Sequence, residues 1–269
     1  MEQGMSPYSD FFRRAGTGLL FLFLLAPLAA VIVVSVNAGT TPKFPPEGFS
    51  LKWYGTALSN PAFTGSAFNS LLLAALATAV GTPLGVAAAF GIARGRLPSA
   101  VRGLLEAVFL SPLIVPGIVI GVALLVALSS AGLRDAWLRL ILGHVLLVLP
   151  YVIRTTLASL QNFDPALEEA AHTLGASRFK TLTQVTLPVL RPAIMAGAIF
   201  GFIISFDDAA VSIFLIDSST STLPLAIMSY MQYNFDPSVA AISSMLIGLT
   251  LAGALAIERV FGLKKFLGS

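Results

Sequence analysis

Four stretches without a single charged residue, 15–42, 53–93, 107–133 and 237–257, constrain this chain more than any other feature it has. Each can supply the roughly 20 apolar residues that carry a helix across a hydrocarbon core. Only 11% of the residues are charged, against about 25% in a soluble domain, so the material for a water-facing shell is missing. The chain therefore reads as an all-α polytopic membrane protein. It has no cysteine, which excludes disulfides and thiolate metal sites. No basic patch interleaved with aromatics points to nucleic acid, and the expected surroundings are lipid.

Hydropathy places six transmembrane helices at about 16–36, 66–92, 104–128, 138–156, 192–216 and 238–257. The first follows Arg13 and Arg14 as a signal peptide would, but its apolar run exceeds the roughly 7 to 15 residues of a signal core. Pro112 and Pro116 lie inside the third. That helix should be broken or curved, because prolines free carbonyls that lipid cannot satisfy. Orientation follows from the basic residues. With the N-terminus inside, Arg13, Arg14, Arg94, Arg96, Arg102, Arg154, Arg178, Lys180, Arg191, Arg259, Lys264 and Lys265 are cytoplasmic, 12 of the 16 Lys and Arg. Lys43, Lys52, Arg134 and Arg139 remain outside. Both termini are thus expected in the cytoplasm (N-in/C-in). The domain reading is an N-terminal helix with a periplasmic loop (1–65), a core transmembrane domain (66–257) and a cytoplasmic tail (258–269). The periplasmic loop is proline-rich and carries Trp53 and Tyr54, which fits an interfacial segment as well as a proline-stiffened loop.

Between the fourth and fifth spans, residues 157–187 form a hydrophilic loop longer than a connector requires, and such loops usually have a function. Asp164 and Pro165 are a helix start, a capping acid followed by proline at the first helical position. A short helix over 166–174 would carry Glu168 and Glu169, and Gly175 would supply the turn. Ser177 would cap a second helix over 178–185, stopped by Leu187 and Pro188. The expected product is a helix-turn-helix elbow standing off the membrane.

The series Glu169-Ala170-Ala171, three residues, Gly175, nine residues, Val185, one residue, Leu187-Pro188 resembles the EAA loop of binding-protein-dependent ABC importer permeases. Val185 stands where the family prefers Ile. The resemblance implies a type I ABC importer permease fold, with the elbow as a coupling helix seated on a cytoplasmic ATPase. Glu168, Glu169, Ala170, Ala171, Gly175, Leu187 and Pro188 are then the ATPase-coupling residues. It further implies two ATPase subunits, a second and different permease chain, and a periplasmic substrate-binding protein. No G-x-x-x-x-G-K-[ST] cradle occurs, since Lys180-Thr181 lacks the preceding glycine. The chain is expected to be no enzyme and to hold no cofactor, with ATP and Mg bound by the ATPase partner.

The stretches Phe49-Ser50-Leu51-Lys52-Trp53-Tyr54, Asn69-Ser70-Leu71, Ser111-Pro112-Leu113, Ser205-Phe206-Asp207-Asp208, Leu223-Pro224-Leu225 and Pro237-Ser238-Val239 are similar to permeases of the spermidine/putrescine type. Iron, phosphonate and opine-like importers share that subgroup and stay open as alternatives. Asp207, about 22 Å along a helix that starts near Pro192, would sit in the outer half of the bilayer, where an ionised carboxylate needs water, a cation or a donor. Ser205, Phe206, Asp207 and Asp208 are accordingly the candidate substrate path, and two acids suit a polyamine's ammonium groups. Adjacent helical residues diverge by about 100 degrees, so one acid can face the path while the other pairs with a partner or caps a broken helix. His144 reads as a helix-packing hydrogen bonder, and residues 223–237 as a loop or re-entrant stretch. A secondary transporter remains a distant alternative, lacking evident internal symmetry. An intramembrane enzyme has no nucleophile paired with a base to support it.

Overall fold

The computed structural model describes residues 7–217 and 219–261, with side chains described for 13–217 and 219–252. Among them the regular structure is helical, apart from one isolated bridge between Asn37 and Phe49. The helices are α1 (Pro7–Ser35), α2 (Lys52–Ser59), α3 (Pro61–Arg94), α4 (Ser99–Leu110), α5 (Gly117–Ser130) and α6 (Ala136–Gln161). They continue with α7 (Ala166–Thr173), α8 (Arg178–Thr181), α9 (Leu187–Asp207), α10 (Ser212–Leu215), α11 (Leu223–Tyr233) and α12 (Ser238–Phe261). Lys264 and Lys265 of the orientation argument lie outside the described residues.

Contacts divide the chain into two units, one combining the chain up to Thr64 with that from Ile227 onward, the other Gly65–Ala226. In the first, α1 and α2 pack on α12. Tyr54 ties the three together, its hydroxyl 2.7 Å from Ser35 Oγ of α1 and 2.7 Å from Ser244 Oγ of α12. The segment before α2 is folded rather than merely stiffened by proline. Buried Asn37 accepts from Gly39 and Glu47 N–H at 3.0 Å each and donates to the Thr41 carbonyl at 3.0 Å. The Trp53 indole donates to the Asn37 and Gly39 carbonyls at 3.0 and 3.1 Å, so this aromatic serves the fold of the loop.

In the second unit α6 is the hub, buried along much of its length from Ala136 to Leu160. Its Val148 and Val152 lie between two glycine pairs, Gly81 and Gly85 on α3 and Gly197 and Gly201 on α9. An added Cβ at Gly85 would meet Val152 Cβ at 2.8 Å, and one at Gly197 would meet Val152 Cα at 2.8 Å and run into Thr155 Oγ1. With no lipid-excluded surface to gain, membrane helices associate through such close backbone approach, which four-residue glycine spacing permits. Toward one end of α6, Leu73, Ile120, Leu140, Leu147, Val211 and Leu215 form a core. Toward the other, Ala89, Ile92, Ile153, Leu157, Leu160 and Leu190 form a second.

Among the described residues, four helices are long and apolar enough to cross a membrane: Arg13–Ser35, Pro61–Arg94, Ala136–Gln161 and Arg178–Asp207. The expected third span is a bent pair, Ser99–Leu113 and Gly117–Ser130, meeting at 105°. Its break coincides with Pro112 and Pro116, the latter extended at ψ 133. In α12 the stretch with described side chains, Ser238–Ala252, is apolar, and the helix itself runs on to Phe261. Two expected boundaries are corrected. The helix from Arg178 does not stop at Leu187 and Pro188; it passes through a π-helical turn, Leu182–Thr186, into α9, with Pro188 in the first turn. Widening to i→i+5 bonding gives the proline ring room that a regular α-turn denies it. The fifth span does not reach 216 either, but ends at Asp207.

Candidate functional site

The elbow is built by local chemistry. Asp164 Oδ1 accepts from Ala166 N–H at 2.9 Å, and Pro165 is already helical at φ −61, ψ −24. At the other end of α7 the Ala176 N–H donates to the Ala171 carbonyl at 3.0 Å and the Gly175 N–H to the His172 carbonyl at 2.9 Å. This paired closure requires a left-handed residue, and Gly175 has φ +84. Ser177 Oγ then accepts from Lys180 N–H at 3.4 Å to start α8.

Within the elbow the two glutamates part company. Glu168 turns inward: Arg94 Nη1, at the end of α3, donates to it at 2.7 Å, and the Thr186 hydroxyl of the π-turn donates to the same oxygen. Arg94 in turn stacks over Phe90 and Phe163, 5.3 Å from each ring centroid. Burial works to raise the Glu168 carboxyl, but the Thr186 hydroxyl and the Arg94 guanidinium outweigh it and hold the group below its ordinary value. Glu169 and Ala170 are exposed, Ala171 half-buried. Beside them stand two large apolar side chains, Leu174 at 89% and Phe179 at 75% exposure. Leu187 is half-buried and Pro188 exposed, both at the root of α9. Sequence reasoning missed Arg94 and Thr186, which lie 74 residues before and 18 after their carboxylate.

At the far end of α9, about 30 Å from its start by helical rise, the backbone breaks. Asp208 is extended at φ −71, ψ 125. Its carboxylate accepts from Val211 N–H at 3.1 Å and from Ser212 N–H at 2.9 Å, and so caps the short helix α10. Asp207, one residue earlier, is exposed and makes no hydrogen bond or ion pair among the described residues. Ser205 is buried, and Phe206 is half-buried and stacked on Phe202 with centroids 6.3 Å apart. Of the two roles open to an adjacent acid, capping falls to Asp208.

Ser205 leads to a residue that sequence reading left as a packing group. His144 of α6 is fully buried, with Nδ1 2.8 Å from Ser205 Oγ and Nε2 2.9 Å from Ser212 Oγ. Ser212 was not singled out; no local pattern marks it. Two further stretches meet in space, Asn69 Nδ2 donating to the Ser221 carbonyl at 3.1 Å and Ser70 Oγ accepting from Leu223 N–H at 2.8 Å. The stretch 223–237, read as a loop or re-entrant segment, is helical over Leu223–Tyr233. Among the described residues no cluster of three His, Cys, Asp or Glu side chains could hold a metal.

Residues 81–261 match the family described as "Binding-protein-dependent transport system inner membrane component". The spermidine/putrescine transport system permease protein PotC of Escherichia coli (strain K12) is 31% identical over 245 residues, 90% of each chain. PotC of Haemophilus influenzae is 34% identical over 247 residues, 90% of this chain and 93% of that one. The putrescine transport system permease protein PotI of Escherichia coli (strain K12) is 30% identical over 237 residues, covering 85% and 83%. Among solved structures, a chain of a bacterial ABC transporter involved in the import of the acidic polysaccharide alginate superposes with a TM-score of 0.73. It covers 96% of this chain and 99% of its own; at 16% identity this likeness shows the fold alone.

Proposed function

The chain belongs to the binding-protein-dependent transport system inner membrane components, and from that premise we propose that it passes a polyamine from a periplasmic binding protein to the cytoplasm by alternating access. Membership makes it a permease subunit of an ABC importer in the bacterial inner membrane, associated with an ATPase and a substrate-binding protein. It is not itself an enzyme; ATP is hydrolysed by a separate subunit.

The observation that carries the polyamine reading is Asp207, an exposed carboxylate without a hydrogen-bond or ion-pair partner among the described residues, at the point where an apolar helix breaks. Such a group needs a cation or water, and an alkyl chain bearing ammonium groups supplies the first. The names of the relatives support the same ligand class. In this reading Phe206 and Asp207 border the path, while Ser205 lies buried behind it and Asp208 caps the helix that follows the break.

Coupling is assigned to the elbow. Leu174 and Phe179 give it an apolar face, Glu169 a charge free to meet a basic partner, and Ala170 and Ala171 the small surface that lets backbones approach. Gly175 sets the angle between the two helices, and Leu187 and Pro188 root the elbow in α9. The complex is taken to hold two ATPase subunits that bind ATP and Mg, and a second permease of different sequence facing this one.

The test is uptake of labelled putrescine by proteoliposomes holding the whole importer, with binding protein outside and ATP inside. Uptake that needs ATP and is competed by spermidine supports the reading, with Asp207→Asn lowering it about tenfold or more, the loss of one charge-assisted contact. Uptake of ferric iron or a phosphonate in place of the polyamine overturns the ligand class while leaving the architecture. Glu169→Lys is expected to abolish uptake with insertion intact.

A further inference from the structure

The helix break that exposes Asp207 is fastened by a buried polar cluster on α6. Ser212 has one hydroxyl proton, directed at Asp208, either to its carboxylate at 3.0 Å or to its carbonyl at 3.1 Å. Its oxygen therefore accepts from the His144 Nε2–H at 2.9 Å. His144 Nδ1 is then the acceptor, and takes the Ser205 hydroxyl at 2.8 Å. The assignment leaves both ring nitrogens of a fully buried imidazole satisfied.

The two serines stand on opposite sides of the break, Ser205 in the last turn of α9 and Ser212 at the start of α10. One side chain of a third helix thus bolts both ends of the interrupted span. A buried imidazole in an apolar helix is costly unless paired, and an apolar residue would fill the same volume without that cost. What the histidine adds is position: the end of α9 and the start of α10 are held at one spacing, the Asp208 carboxylate stays turned onto the Val211 and Ser212 amides, and the neighbouring carboxylate stays turned out.

We propose that His144, acting through Ser205 and Ser212, is a positioning residue of the transport path that holds Asp207 in place to meet a cationic substrate. The proposal rests on the reading of Asp207 given above. It makes no claim on the translocated cation itself, since the imidazole is enclosed and its nitrogens are engaged.

A double-mutant cycle on the full importer in proteoliposomes, read by ATP-driven putrescine uptake, tests it. His144→Phe fills the site without hydrogen bonds and is expected to lower uptake about tenfold, with His144→Gln recovering part of the loss. Combined with Asp207→Asn, His144→Phe is expected to add no further loss, because it acts through the acid already removed. Losses that multiply, or a His144→Phe variant with unchanged uptake, overturn the positioning role while Asp207 keeps its own. Unchanged uptake in Asp207→Asn alone overturns the reading of the acid and this proposal with it. If His144→Phe does not assemble, the same cycle with Ser212→Ala decides, since that change removes the hydroxyl that accepts from His144 and donates to Asp208 while removing little volume.

Discussion

Two neighbouring aspartates of one chemical type have different work to do, and the backbone decides which does what. Asp208 receives three donors from the turn that follows it, two amides and the Ser212 hydroxyl, while Asp207 receives none among the described residues. Asp208→Ala is expected to lower the stability of the subunit by about 1 to 2 kcal/mol, as loss of a helix cap does, seen as a fall in melting temperature in detergent. Asp207→Ala should stay within about 0.5 kcal/mol of the parent, as surface changes do, and lose uptake instead. Glu168 gives a pH prediction. Its folded value is lowered from the ordinary 4.5, so the link to Arg94 contributes above that value and is lost as pH falls through the lowered one. Amide exchange across 166–181, corrected for intrinsic rates, is expected to be flat from neutral pH down to about 5 and to rise below the ordinary carboxyl range. Glu168→Gln should remove that acid-dependent rise.

At the level of elements, the elbow and the hub helix obey different rules. The elbow turns on one residue: Gly175 at φ +84 accepts a left-handed backbone that costs a side-chain-bearing residue roughly 1 to 2 kcal/mol. Gly175→Val is therefore expected to abolish ATP-coupled uptake, while Gly175→Asn, which tolerates that region, keeps most of it. The hub turns on absent side chains. Leucine at Gly85 or Gly197 must displace the α6 backbone or Val152 and is expected to abolish assembly measured by co-purification with the ATPase, whereas Gly91→Leu, with nothing within 4 Å, is tolerated. These contrasts mark what the sequence made legible. Asp164, Pro165, Gly175 and Ser177 announce the elbow because caps and turns are encoded within four residues of where they act. The Arg94–Glu168 pair and the clamp of two glycine faces on α6 join residues far apart in the chain, so no local pattern carries them. Pro188 misled for a related reason: its usual veto on helix was lifted by a π-turn, the same turn whose Thr186 hydroxyl reaches Glu168. The end of the fifth span misled too, since the apolar run continues past the break; the capping role open to either acid falls to Asp208 only through its hydrogen bonds.

For the whole molecule, sidedness is the property most open to direct measurement, and the absence of native cysteine makes it simple. Leu174→Cys in the elbow and Phe44→Cys in the loop before α2, positions 89% and 71% exposed, are expected to react with a membrane-impermeant maleimide from opposite faces of sealed vesicles. Reaction from one face would sink the N-in arrangement read from the arginines and lysines. The π-turn also sets the phase of the helix that follows it. By inserting one residue into a helical ladder it adds about 100 degrees of rotation to everything downstream, so the azimuth of Asp207 about the rod is dialled some 20 residues away, beside the elbow. Substitutions that restore regular α-helical bonding across 182–186 without shortening the chain should then swing the carboxylate off its bearing without touching any group around it, a change of phase rather than of composition.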